Sequence, residues 1–114
     1  MKTIGIIITK APLESNLVTK FLNLARKITN NRNKVEIFLI SDGVWLAKKN
    51  QDNPSSKILN ELIKKSSKIF ASKEHLTAAG IDDNELIKNI TLSEKPYLDI
   101  VTLTMETWDK VITI

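Results

Sequence analysis

Three short apolar runs, separated by stretches of helical character, limit what this chain can become. They are TIGIIIT (residues 3–9), KVEIFLI (34–40) and SKIFA (67–71). Each is rich in β-branched or aromatic residues, and the first two are nearly unbroken. A sheet with one wet face alternates apolar and polar side chains. Runs without that alternation predict strands covered on both faces, as in a parallel sheet. Parallel neighbours need long crossover connections, and helices supply them.

Helical patterns lie where the crossovers should be. Leu17, Phe21, Leu24, Ala25 and Ile28 recur at three- and four-residue spacing, with Lys20, Asn23 and Lys27 opposite them. This predicts a first helix with those apolar residues inward and Ser15 as its N-cap. Asp52, Asn53 and Pro54 open a second helix, with Pro54 at its first position and Ile58, Leu59, Leu62 and Ile63 inward. Glu61 and Lys65, one turn apart, are expected to pair. Asp82 followed by Glu85 reads as a capping box, starting a helix through Leu86, Ile87 and Ile90. The tail is ambiguous. Val101, Leu103 and Met105 alternate with threonines as in a strand, while Leu98, Val101, Met105 and Trp108 fit one helix face. KVITI (110–114) reads as a closing strand. The expected fold is a single α/β domain over 1–114, an open, mostly parallel sheet with helices on both faces and right-handed crossovers.

A chain of 114 residues, 42% apolar and 26% charged, can bury a core without disulfides or metals. It has no cysteine, which excludes thiolate nucleophiles, persulfide carriers, zinc–thiolate sites and thiol redox switching together. The start, MKTIGIIITK, has a lysine before an apolar run, but Lys10 cuts the run short and no small-residue cleavage site follows. It reads as a strand, no segment is long enough to span a membrane, and the expected compartment is the cytoplasm. Charge is uneven. Residues 1–70 hold 13 Lys and Arg against 5 Asp and Glu, and residues 71–114 hold 4 against 8. The lysines are scattered over helix faces without interleaved aromatics, so nucleic acid is not an expected partner.

In open parallel sheets, ligands bind beyond the carboxyl ends of the strands. Those ends are TKAP (9–12), SDGV (41–44) and ASKE (71–74), so Lys10, Asp42, Gly43, Ser72 and His75 are the candidate cleft residues. Each has a plainer explanation. Ser72 and His75 could form a nucleophile–base pair, but no third orienting group or strained Gly-x-Ser-x-Gly elbow accompanies them. Ser72 as a helix cap and His75 half-exposed on the first turn account for the same residues. Asp42–Gly43 could line a site or simply turn the chain. Trp45 and Trp108 could anchor an interface or fill the core. One histidine and no spaced carboxylate cluster make no metal site. Three glycines, Gly5, Gly43 and Gly80, make neither a dinucleotide fingerprint nor a P-loop, and no cofactor is expected.

At these strand ends the sequence resembles the DsrE/DsrF-like family, which includes the TusBCD proteins of sulfur relay. GIIITKAP is similar to the family's first strand and loop, VEIFLISDGV to its second strand and Asp-Gly-Val turn. SKIFASKEHLTAAGI is similar to the segment where sulfur-carrying members place a cysteine before a helix ending in glycine. LDIVTLTMETWDKVITI is similar to the last helix and closing strand. The resemblance implies a flavodoxin-like or Rossmann-like α/β sandwich, a helix near 96–107, and oligomers, often trimers or hexamers. For some members it also implies sulfur transfer through a persulfide on the loop cysteine. Counting back from Gly80, that cysteine position falls on Ser72, whose hydroxyl cannot hold a persulfide.

Two functions follow as expectations. The chain is a non-catalytic binding or assembly subunit, related to sulfur relay and facing a relay protein or its own copies. Alternatively, it is a small-molecule binder or an enzyme of unknown reaction working at the strand-end cleft.

Overall fold

The computed structural model describes residues 2–13 and 16–114. Five strands form one sheet: β1 (Thr3–Ile8), β2 (Lys34–Leu39), β3 (Lys68–Ser72), β4 (Ile90–Ser93) and β5 (Lys110–Thr113). Their order is β4-β3-β2-β1-β5, and every pair is parallel. The helices are α1 (Asn16–Asn30), α2 (Pro54–Lys64), α3 (Lys73–Ala78) and α4 (Pro96–Glu106). A 3-10 turn at Ser41–Ala47 follows β2, and another at Asp83–Glu85 precedes β4.

This order decides which face each helix covers. From β1 to β4 the chain steps in one direction across the sheet, then returns to place β5 beside β1. Right-handed crossovers put a returning helix on the opposite face from the outgoing ones. The packing follows. Ile6, Ile8, Val35, Ile37, Leu39, Ile69 and Ala71 meet Val18, Leu22, Ala25, Ile58, Leu59 and Leu62 of α1 and α2 in the main core. On the other face Ile7, Phe38, Ile40 and Trp108 form a second core, against which Ile100 and Leu103 of α4 pack. Strands β1 and β2 therefore bury both faces, which is why their sequences do not alternate.

Several sequence expectations hold. Asn53 caps α2, its Oδ1 accepting from the Ser56 amide at 2.9 Å, with Pro54 in the first turn. The Asp82–Glu85 capping box is present. The tail is helix α4, because tertiary packing onto β1 and β2 decides what periodicity left open.

Others need correction. The capping box opens only a single 3-10 turn, and the chain then enters β4, so Ile90 begins a strand. The buried stripe of α1 is Val18, Leu22 and Ala25, while Leu17 and Leu24 stay about two-fifths exposed, at 42% and 40%. The apolar residues of this helix form one continuous arc of roughly 160° at 3.6 residues per turn, and contact with the sheet centres burial on Val18 and Leu22 rather than on Leu17 and Leu24, while Ala25 is buried and Ile28 packs against the core as expected. Glu61 does not pair with Lys65. It accepts from Arg26 of α1 at 3.1 Å, and Lys65 donates to Asn30 at 2.6 Å, so both bind across the α1–α2 seam. The expected cap Ser15 lies outside the described residues.

Trp108 belongs to the core. It is 6% exposed, and its indole lies so close over Gly5 that a Cβ there would sit 2.1 Å from the ring. Its Nε1–H donates to Oε1 of the buried Glu36 at 3.0 Å, giving that carboxylate a charge-assisted partner.

Candidate functional site

The carboxyl edge of the sheet brings together the turns after β1, β2 and β3, which are adjacent strands. The crevice between β1 and β5, where the winding direction reverses, is the usual ligand position in such folds. Here it is bridged: the Thr9 amide and Oγ1 both donate to the Ile114 carbonyl, at 2.8 and 2.7 Å. Lys10 follows in a partly exposed turn.

The next crevice, between the β2 and β3 ends, is more open. Ser41, Asp42, Trp45, His75, Ala78 and Ala79 line a hollow of about 230 Å³. Its geometry depends on one contact. The Ser41 amide donates to Nδ1 of His75 at 2.8 Å, joining residues 34 apart in the sequence. Ser41 has φ of 51°, a left-handed conformation uncommon for a residue with a Cβ, and it persists where surrounding contacts hold it. Because Nδ1 accepts, the neutral ring carries its proton on Nε2. The Tyr97 ring of α4 meets the imidazole edge-on, with centroids 6.0 Å apart. The Lys48 ammonium lies 5.7 Å from the centroid of the Trp45 ring, a cation–π arrangement.

Among the sequence candidates, Asp42 and His75 share this hollow, while Lys10, Gly43 and Ser72 are not part of its lining. Gly43 is buried beneath, where the 3-10 turn crosses the end of β1. Ser72 is fully buried, and its Oγ accepts from the His75 backbone amide at 3.2 Å as the N-cap of α3. The Ser–His contact thus runs to the backbone, while the imidazole Nδ1 is engaged by Ser41. No nucleophile–base pair is made, and Ser72 has a structural role. Ser72→Ala is expected to cost about 1 kcal/mol, the typical worth of a cap, read as a lower urea midpoint with an unchanged slope.

Sequence reasoning missed two polar residues at this edge. Ser93 is beside Ser72 in the β3–β4 register, and its Oγ donates to Asp99 Oδ2 at 2.5 Å, tying the end of β4 to the first turn of α4. Recognising β4 would have exposed the pattern, since Ser93 ends a strand and Asp99 then falls at a helix N-terminus. Among the described residues, no three His, Asp or Glu side chains gather where they could hold a metal ion, and no helix is long and apolar enough to cross a membrane.

Comparison with known proteins agrees with this architecture. The chain is similar to the YchN protein of E. coli, with 22% identity, a TM-score of 0.85 and full coverage of both chains. It is also similar to MTH1491, a protein of unknown function from Methanobacterium thermoautotrophicum, with 20% identity, a TM-score of 0.83 and full coverage of both. At such identities the likeness speaks for the fold alone, which is flavodoxin-like. No curated protein matches the sequence. The model of the DsrE/DsrF-like family matches residues 2–113, and with only the first and last residues outside that match, the chain belongs to the DsrE/DsrF-like family.

Proposed function

We propose that this chain is a binding or assembly subunit, related to sulfur relay but without sulfur chemistry of its own. The observation that carries the reading is the state of Ser72. It occupies the position where sulfur-carrying relatives are expected to hold their cysteine. It is fully buried, and its hydroxyl caps α3. A hydroxyl forms no persulfide, and no cysteine elsewhere in the chain replaces it. What remains is the capacity to present a surface or a pocket, in the cytoplasm, to a sulfur-relay protein or to further copies of the chain.

A second reading rests on the open hollow at Asp42, Trp45 and His75. An acid, a cation-bearing indole and an imidazole of fixed tautomer are groups that could orient a small polar molecule, with Lys10 nearby on the same sheet edge. A thermal-shift panel of nucleotides and thiol metabolites separates the two. A ligand that binds only the folded state raises the melting temperature with its concentration. The assembly reading predicts no saturable shift from any of them. A saturable shift that Asp42→Ala abolishes would give the hollow to a ligand.

A further inference from the structure

The lysines that look scattered in the sequence gather in the fold. All five strands start at one edge of the parallel sheet, and a lysine stands at each start. In spatial order they are Lys88 just before β4, Lys68 of β3, Lys34 of β2, Lys2 just before β1 and Lys110 of β5. Arg32, Lys64 and Lys65, at the ends of α1 and α2, join the same edge. All eight are exposed, and among the described residues none of them makes an ion pair. Two exposed acids stand there, Glu106 and Asp109, and Asp109 already accepts from the Thr3 amide at 2.7 Å. The plain explanation is that the cations offset the negative ends of α1, α2 and α4, which finish at this edge. Each helix end carries only about half a charge. Three such ends and the two acids leave more than half of the eight cations without an offset. The edge is also indented. Lys34, Lys65, Lys68, Thr29, Ser66 and Ser67 are among the residues around a hollow of about 210 Å³. Glu36, also at its wall, is committed elsewhere, its carboxylate accepting from the Trp108 indole.

We infer that this amino edge of the sheet is a docking surface for an acidic segment of a partner protein, with one of its carboxylates seated in the hollow among Lys34, Lys65 and Lys68. The inference rests on the binding-subunit reading and deepens it by giving the chemistry of the partner and the surface that meets it. Charge complementarity carries it, because a row of unpaired cations attracts and steers an anionic chain. The geometry suits an extended peptide. Strands lie about 4.8 Å apart, so five of them make a row about 19 Å long, the reach of about six extended residues. Ammonium groups are point charges without a fixed fork, so they meet carboxylates presented along a chain in many arrangements. Two features favour a polypeptide over a nucleic acid. Only Arg32 of the eight has the planar fork that matches phosphate. The exposed aromatic ring among the described residues, Tyr97, begins α4 at the opposite edge, which leaves the amino edge without a platform for stacking bases.

Fluorescence anisotropy of a dye-labelled octaglutamate peptide, titrated with the full chain at about 50 mM salt, is the test. Saturable binding is expected. Lys34→Glu combined with Lys68→Glu is expected to weaken it about ten-fold or more, since two attractions become repulsions. Lys73→Glu combined with Lys95→Glu makes the same change of net charge at the opposite edge, and is expected to weaken binding by less than about three-fold. Should the first pair disturb the circular-dichroism spectrum, Lys34→Gln with Lys68→Gln repeats the test, with an expected loss of about three-fold or more. A peptide that does not bind saturably overturns the inference. Equal losses from the two edges overturn it as well, because binding would then follow net charge rather than this surface. Tighter binding of single-stranded octathymidylate than of octaglutamate would give the edge to nucleic acid and overturn the choice of partner. Each failure leaves the absence of sulfur chemistry standing, because that is read by a separate transfer assay.

Discussion

Gly43→Ala is expected to cost about 3–5 kcal/mol, beyond the usual range for an overpacked side chain. A Cβ at this position would lie 2.0 Å from the Ile8 carbonyl oxygen and 2.7 Å from its carbon. Both are backbone atoms of β1, and that oxygen already accepts from the Ile40 amide at 3.1 Å. A clash with a flexible side chain can relax by a rotamer change. Here either the end of β1 or the Ser41–Ala47 turn must move. Moving the turn would also strain the contact between the Ser41 amide and His75. A domain stable by about 5–15 kcal/mol would lose a large fraction of that. Urea unfolding at fixed protein concentration reads the loss, and a change below about 1 kcal/mol would show that the turn does not press on β1 as described.

Trp108→Ala is the second large effect, expected at about 3–5 kcal/mol from the lost packing and the cavity left behind. It also strips the buried Glu36 carboxylate of its indole donor, and leaving one partner of a buried polar pair alone is costly. Trp108→Phe should lose roughly 2 kcal/mol, since much of the packing stays and only the donor goes. The indole fills the space that Gly5 leaves, so the two positions are coupled. Gly5→Ala alone should be strongly destabilising, because its Cβ would meet the ring at 2.1–2.5 Å. In the Trp108→Ala background the same change should cost little. Strict additivity of the two would contradict the contact.

How much of this could be read beforehand varies with the kind of information each feature needs. Strands β1, β2 and β3 were legible within a residue or two, because burial on both faces writes a continuous apolar run into the sequence. The start of α2 was legible because Asn53 and Pro54 act locally. Strand β4 was not. It has four residues at a sheet edge, only Ser93 among them fully buried, and it follows a true capping box that pointed to a helix. The inward face of α1 was read off-centre: Ala25 and Ile28 do meet the core, but the apolar residues form one broad arc and contact with the sheet centres burial on Val18 and Leu22. The tail became a helix through packing against β1 and β2, a non-local cause that its own periodicity does not encode. At the candidate site, Asp42 and His75, both at strand ends in the sequence, line one hollow. The bond that organises them joins residues 34 apart. The burial of Ser72 likewise depends on the strands that flank it.

The central claim is that this DsrE/DsrF-like chain takes part in assembly or binding without carrying sulfur. The most direct measurement offers the purified chain sulfane sulfur, from thiosulfate and from a persulfide-loaded cysteine desulfurase, with cyanide as the final acceptor. The predicted result is no thiocyanate above the protein-free or desulfurase-only control, and no protein-bound sulfur by intact mass. Thiocyanate formation by the chain that Ser72→Ala or His75→Ala abolishes would contradict the account, because it would place sulfur chemistry at residues to which the structure gives only capping and positioning roles.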